Sequence, residues 1–519
     1  MKISKSLFKE YLNMPQLAWF SKNERDTYKL INNVRYAGID GAAVGQEVED
    51  AVLSLVADKE VITVDDKNIP RAHRHTHYHK RTQEAMAGWA EVIYQPWFLF
   101  NKLYCKCDLL VKNDHWTYDL REVKAKNSIR KKSKETPLLD DLVTDVSFQD
   151  YVLKQSLGMM YSGKVYIVHL NKEYLRQGDL DMMQLLIKED VTDDLMEPGL
   201  IESIAQSIHT DMALTKEALD AKYLYKGQDH LSYFWTPAPK DSIRKIPRIW
   251  SKLWGLYDDG KRRITDLNEL DIESLRNKKW EETGIMKYLK LWNQWETVIN
   301  SEEIKKEFDS LKYPLFFYDY ETISVPLPLF EQTHSRQQVV VQYSCHKIEA
   351  DGTITHTEWL IENTETENLR VIDKLIHDLE WGKGTYVVRY DGFENKRNEE
   401  LAKMYPQHAE ALLKINEITY DLMKIFSTWK YFDRRFQWSS SIKKVLPVLT
   451  DISYDNLAIP NGSVAADALA KLAKGLIAEN EVSTIRDHLL EYCKQDTWAM
   501  VRIWEEVKGK LKQLKIEDW

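Results

Sequence analysis

One stretch constrains this chain more than any other. Phe316–Phe317–Tyr318–Asp319–Tyr320–Glu321–Thr322 is aromatic and apolar, as a buried strand is, yet it carries two carboxylates two residues apart. Successive strand side chains point to opposite faces, so Asp319 and Glu321 share one face. Two oxygen donors side by side on a rigid strand form half of a site for a hard divalent cation such as Mg²⁺ or Mn²⁺. The plain alternative is a strand with a solvated acidic face.

A second stretch lies near the C-terminus. In Leu489–Leu490–Glu491–Tyr492–Cys493–Lys494–Gln495–Asp496–Thr497–Trp498–Ala499–Met500 the apolar residues recur at helical spacing, which predicts a helix. Tyr492 and Asp496 are four apart and share a face of it. Between the two stretches lies Tyr386–Val387–Val388–Arg389–Tyr390–Asp391–Gly392–Phe393–Glu394. The three in this order resemble the DEDD superfamily of 3′–5′ exonucleases in its tyrosine variant, which opens with a D-x-E strand and closes with a Y-x-x-x-D helix. The middle motif there is Asn-x-x-Phe-Asp; this chain has Tyr390 for the Asn and Glu394 for the Asp. The resemblance makes Asp319, Glu321, Glu394 and Asp496 ligands for two metal ions, with nearby Asp391 as the alternative to Glu394. It makes Tyr492 the residue that orients the attacking water. Asp421, which matches a family aspartate, reads as a structural cap.

The N-terminal third carries a second pattern. Helices are predicted over residues 5–20 and 37–57. Residues 104–111 and 116–124 read as a strand hairpin, in which Asp108 precedes Glu122 by 14 residues and Lys124 follows two further on. Glu122 and Lys124 share a strand face. This resembles the PD-(D/E)xK nuclease pattern, in which two carboxylates hold Mg²⁺ beside the scissile phosphate and the ammonium group positions water and offsets transition-state charge. A helix around Asp145–Leu153 and a strand at 164–171 follow. The arrangement resembles RecB-like nucleases, in which an early helix offers an acid toward the metal and a later one a glutamine; Glu47 and Gln149 stand at those places. Some relatives hold an iron–sulfur cluster on cysteines. Here Met14 occupies the first such place and residues 225–250 contain no cysteine, so no iron–sulfur cluster is expected.

His73, His75, His77 and His79 alternate along residues 71–81. Four side chains in a row along one strand face cannot wrap a tetrahedral ion, and no acidic residue occurs from Lys67 to Gln83. The stretch reads instead as a basic loop facing phosphates through Arg71, Arg74, Lys80 and Arg81, or as a merely solvated one. A second basic run includes Lys126, Arg130, Lys131 and Lys132 and reads as a phosphate track, carrying affinity with little sequence information. Lys443 and Lys444, beside Ser441, are further candidates for backbone contact.

Composition sets limits. The formal net charge is −9, so any nucleic-acid contact uses local basic patches rather than a polybasic whole. No apolar run approaches the roughly 20 residues of a membrane span, and no membrane partner is expected. Four cysteines without a C-x-x-C pair make a disulfide framework improbable and fit a reducing cytoplasm.

The expected fold class is therefore α/β. A restriction-endonuclease-like, RecB-like domain is expected over residues 1–195, a helical connector over 196–310, and an RNase H-like exonuclease domain over 311–519. Further short matches, among them Tyr313–Pro314, Gln342–Tyr343–Ser344 and residues 441–447, resemble a bacterial family that joins these two modules. The resemblance implies a Mg²⁺- or Mn²⁺-dependent nuclease with nucleic acid as its partner, DNA before RNA, in repair, recombination or defence. The alternatives are an RNA-processing exoribonuclease and a non-catalytic nucleic-acid-binding scaffold.

Overall fold

The computed structural model describes residues 1–35, 41–64, 69–70, 74–131, 136–223, 239, 241–246, 250–275, 289, 297–362 and 368–517. The chain divides into two compact α/β units. The first comprises Met1–Thr236 together with Val325–Gln337, the second Pro237–Ser324 together with Gln338–Trp519. Residues that the sequence assigned to a connector are thus shared between the units. Among the described residues, no helix is long and apolar enough to cross a membrane.

The first unit is built on a six-stranded sheet in chain order: β1 (Val61–Thr63), β2 (Val92–Tyr94), β3 (Leu109–Lys112), β4 (Tyr118–Lys124), β5 (Tyr161–Leu170) and β6 (Leu186–Asp190). β3 and β4 form an antiparallel hairpin, and β4 pairs in parallel with β5. Helix α4 (Asp140–Leu157) lies between β4 and β5 in the chain, as a parallel pair requires a crossover. Helices α1 (Lys5–Asn13), α2 (Gly41–Val52) and α3 (Arg74–Ala87) precede it. Period-two alternation splits the sheet between two cores. Leu110, Leu120, Val165 and Ile167 pack with Leu7 and Phe8 of α1 and Phe148 and Val152 of α4. Leu109, Val111, Val123 and Val168 pack with Val48 and Val52 of α2 on the opposite face. Ser4 caps α1, its Oγ accepting from Leu7 N at 3.0 Å.

The second unit holds a five-stranded sheet. Its strands are β7 (Leu315–Ile323), β8 (Val339–Ile348), β9 (Ile354–Leu360), β10 (Thr385–Val388) and β11 (Thr419–Asp421), in the order β9-β8-β7-β10-β11. β7 is central, antiparallel to β8 and parallel to β10. Tyr318, Tyr320, Tyr343, Tyr386 and Val388 face α5 (Asn368–Asp378), α6 (Asp391–Met404) and α7 (Ala409–Glu417). The opposite face meets α9 (Gly462–Ala473) and the 39-residue α10 (Glu479–Glu517). Short α8 (Ile442–Leu449) also packs on α10. β10 begins beside β7 only because Gly384 has no side chain: its φ is +63°, and a Cβ there would lie 1.9 Å from the Pro314 carbonyl oxygen.

Several local expectations are corrected. The helix over 5–20 is two, because Pro15 starts a new one after Met14. The strand over 104–111 is also two. Leu103–Lys106 pairs with Trp97–Phe100 in a separate small sheet, and β3 starts only after Cys107 and Asp108. The histidine-rich stretch is not a loop: residues from Arg74 onward form α3. Tyr78, Thr82, Ala85 and Met86, at positions i, i+4, i+7 and i+8, are its buried stripe, so the alternating histidines carried no strand signal. The stretch expected as a helical connector over 196–310 opens with two helices, Pro198–Asp211 and Lys216–Lys222.

Candidate functional site

In the second unit, strand alternation puts Asp319 and Glu321 on the face of β7 that α10 covers, while Tyr318 and Tyr320 go to the other core. Asp496 comes from α10. One carboxylate oxygen from each of Asp319, Glu321 and Asp496 lies within 4.8 Å of the others, and all three residues are buried. Glu394, on the first turn of α6, is fully buried as well. Oδ2 of Asp319, Oε1 of Glu321, Oδ2 of Asp496 and both oxygens of Glu394 are buried without a hydrogen-bond partner. Burial and then the Asp319 charge push Glu321 and Glu394 well above the ordinary carboxylate range. Buried carboxylate oxygens that accept no hydrogen bond and repel one another could hold a cation. The donor set, oxygen only, suits Mg²⁺ or Mn²⁺.

Asp391, the alternative to Glu394, lies elsewhere: it pairs with Lys424. Asp421 caps locally, its Oδ1 accepting from Met423 N at 2.9 Å.

Three residues at this site escaped the sequence reading. Arg389 follows Val388, which faces the α5–α7 core, so alternation turns Arg389 toward α10. Its Nε lies 3.3 Å from Oδ2 of Asp319 and its Nη1 3.8 Å from Oδ2 of Asp496. Tyr454 donates to Oδ1 of Asp496 at 2.5 Å. Thr497, next to Asp496, ties α10 to β8 through Ser344 Oγ and His346 Nδ1, both at 2.8 Å. Tyr492 is buried one turn before Asp496, and its Oη accepts from Lys443 Nζ at 3.2 Å. Burial, then the Asp496 charge, hold the Tyr492 phenol well above its usual value, so it stays neutral. Lys443 also donates to the Pro460 carbonyl at 2.9 Å, whereas Lys444 is exposed. A cleft of about 740 Å³ adjoins the cluster, lined by Arg389, Tyr390, Phe393, Glu394, Trp438 and Ser439–Ser441 among others.

In the first unit, Glu122 and Lys124 share the Leu120 face of β4, where α1 and α4 pack. Lys124 Nζ donates to Glu122 Oε1 at 2.6 Å and to Asp145 Oδ2 at 2.9 Å. Lys5 lies 3.1 Å from Glu122 and 2.8 Å from Asp145, and Lys9 3.2 Å from Asp145. Gln149 Nε2 donates to Asp145 Oδ1 at 3.1 Å, leaving its buried Oε1 without a hydrogen bond. Asp108 accepts from Val123 N through Oδ2 at 2.7 Å; burial, then Glu122, push its carboxyl up. Burial opposes ionisation of Glu122 as well, but Lys124 and Lys5 outweigh it and hold Glu122 below its ordinary value. Lys5, Lys9 and Asp145 were not foreseen. Glu47 sits on α2, which covers the opposite face, and its charge acts on Arg336; on that helix Glu49 is the carboxylate that acts on Asp108.

The residues expected to face phosphates make the following contacts within the chain. Arg74 donates to the Ile69 carbonyl at 2.8 Å and Arg81 to that of Thr63 at 3.0 Å. Lys80 pairs with Glu84 at 3.5 Å. Lys126 meets Asp141 at 3.0 Å, and Lys131 meets Asp140 at 2.8 Å. Arg130, bound to Glu189 at 2.5 Å and Asp194 at 2.9 Å, is a structural clamp. Arg71, Lys132, His73 and the side chain of His75 lie outside the described residues.

Fold and site together define a two-unit α/β protein with a buried carboxylate cluster in one unit and a carboxylate–lysine lattice in the other. A family model described as a domain of unknown function (DUF2779) matches residues 316–441, a span that includes Asp319, Glu321 and Glu394 but not Asp496. The chain is 24% identical over 465 residues to the "Uncharacterized protein MG366 homolog" of Mycoplasma pneumoniae, covering 78% of this chain and 69% of that one. It is 24% identical over 281 residues to "Uncharacterized protein MG366" of Mycoplasma genitalium, and 26% identical over 237 residues to "Uncharacterized protein UU173" of Ureaplasma parvum. These last two matches cover 49% and 41% of this chain, and 41% and 34% of the relatives. No solved structure matches.

Proposed function

We propose that this protein is a metal-dependent nuclease in which the second unit is an RNase H-like 3′–5′ exonuclease and the first a RecB-like, restriction-endonuclease-like nuclease. The observation that carries the reading is the convergence of Asp319, Glu321 and Asp496 within 4.8 Å, with orphaned oxygens and Glu394 buried beside them. Asp319, Glu321, Glu394 and Asp496 would hold the metal. When bound, Mg²⁺ or Mn²⁺ supplies an activated water and stabilises the charge that develops on the leaving oxygen. Tyr492 keeps its proton and positions the water by hydrogen bonding. The adjoining cleft takes the 3′-terminal nucleoside, with Tyr390 exposed for stacking. In the first unit, Asp108 and Glu122 are the acids and Lys124 the positioning ammonium group. DNA is the favoured polymer and RNA the second reading.

The test uses 5′-labelled single-stranded DNA and RNA oligonucleotides with Mn²⁺, comparing the wild type with Asp319→Ala and Glu122→Ala. A 3′-trimming ladder lost only in Asp319→Ala supports the exonuclease and identifies its polymer. Internal cuts lost only in Glu122→Ala support the other centre. Cleavage that neither substitution alters would sink the proposal, and absence of both cleavage and Mn²⁺ binding would favour the scaffold.

A further inference from the structure

Arg389 has no counterpart among the residues expected at the site. Its Nε and Nη1 approach Oδ2 of Asp319 at 3.3 Å and Oδ2 of Asp496 at 3.8 Å. These are the oxygens left over once Oδ1 of Asp319 has accepted from Tyr320 N at 3.0 Å and Oδ1 of Asp496 from Tyr454 at 2.5 Å. Arg389 also lines the cleft, so one side chain reaches both the carboxylates and the space where a substrate phosphate would lie. A guanidinium cannot lose its charge, and its planar fork matches phosphate oxygens. Fixed here, it offsets clustered negative charge and offers donors to a phosphoryl group, which is the work a second metal ion does in a two-ion centre.

Asp319, Glu321 and Asp496 form one mutually close set; Glu394 stands against Asp319 beside it, and Arg389 already meets the Asp319 oxygen that a second ion between those two carboxylates would use. We propose that Arg389 is the second positive centre of this site: the cluster holds one divalent ion rather than two, and Arg389 positions the scissile phosphate. This rests on the metal-dependent reading above.

The experiment counts Mn²⁺ bound per chain by titration with electron paramagnetic resonance, in the full-length wild type and in Asp319→Asn. Their difference isolates the second unit from any ion held by the first. Arg389→Gln and Arg389→Lys are then assayed for cleavage at saturating Mn²⁺. The expected difference is one ion. Arg389→Gln should bind that ion more tightly, having lost a competing cation, yet cleave about 100-fold more slowly, the scale of a lost transition-state donor; Arg389→Lys should recover part of the rate. A difference of two ions would overturn the role of Arg389 without harming the metal reading, as would wild-type cleavage by Arg389→Gln. No difference between wild type and Asp319→Asn would remove the metal reading itself, and this proposal with it. The ion count does not depend on whether an Arg389 variant folds.

Discussion

Tyr454 donates a 2.5 Å hydrogen bond to Oδ1 of Asp496, whereas Tyr492, one turn before Asp496 on the same helix, turns its hydroxyl to Lys443. On the metal-dependent reading proposed above the two tyrosines divide two tasks: Tyr454 would fix the orientation of a ligand, and Tyr492 would face the reaction.

The division is open to measurement. Tyr454→Phe should lower the apparent affinity for Mn²⁺ about 10-fold, as loss of an outer partner of a metal ligand does, with little change in rate at saturating metal. Tyr492→Phe should leave the Mn²⁺ midpoint in place and lower the saturated rate about 100-fold, the scale of a lost hydrogen-bond donor in the transition state. Mn²⁺ titrations of cleavage for both variants decide it; a shifted midpoint in Tyr492→Phe alone would reverse the assignment.

Asp421 gives a prediction about stability. Burial, then the nearby Asp391 charge, push its carboxyl up to about 6, against about 3.9 in an unfolded chain. A raised folded value favours the native state below about pH 4 relative to neutral pH, and that advantage fades as pH rises to 6. Asp421→Asn keeps an oxygen for Met423 N and carries no charge. It should stabilise the protein at pH 7 by about 2 kcal/mol, somewhat below the full linkage value of two pKa units, and by nothing measurable at pH 4. Equal effects at both pH values in urea melts would refute this account.

The sequence made some of this site visible and hid the rest for physical reasons. Period two exposed Asp319 and Glu321 because β7 is central and buried on both faces, so any charge on it stands out. Helical spacing placed Tyr492 and Asp496 together because α10 is long and regular. Arg389 left a weaker trace. The parallel register that sets Phe317 beside Val387 would, if continued, set Asp319 beside Arg389, but register is a property of pairing and not of either segment alone. Tyr454 lies outside regular structure, where periodicity says nothing. Lys5 and Lys9 were legible as one helix face, four residues apart, but nothing in the sequence said which sheet face that helix would cover. The histidine run was read as a loop because its charge and lack of acidic residues outweighed the sparse stripe of Tyr78, Thr82, Ala85 and Met86 that marks a helix.

If the cluster of the second unit holds a metal as proposed, its carboxylates couple that binding to pH. Burial opposes ionisation of Asp319, Glu321 and Glu394, and repulsion within the cluster adds to it, so all three are pushed up. Without metal, their ionisation should lower stability as pH rises above the ordinary carboxylate range. A cation that binds only the folded, deprotonated cluster stabilises by mass action. The thermal shift produced by 1 mM Mn²⁺ should therefore be larger at pH 8 than at pH 5, and should disappear in the second unit's transition for Asp319→Asn. Calorimetry at the two pH values tests this; a shift that is larger at pH 5 would contradict it.

Lys5 offers the opposite sign. Burial works against charge on Asp145, but Lys5, Lys124 and Lys9 overcome it and hold the carboxyl far below its ordinary value. Glu122 is held down in the same way by Lys124 and Lys5. Depressed values mean stability that is present above about pH 4 and lost as pH falls through the folded values. Lys5→Gln removes one ammonium group from between two buried carboxylates, leaving Lys124 to serve both and Lys9 to serve Asp145 alone. Breaking a buried pair costs about 3–5 kcal/mol; with Lys124 remaining and the Lys5 side chain 23% exposed, about 2 kcal/mol is expected at pH 7. The cost should shrink toward pH 3 as both carboxylates take up protons. Urea denaturation of wild type and Lys5→Gln across that range measures it. A cost that is constant with pH would mean that Lys5 stabilises the first unit by packing its methylenes, not by balancing charge.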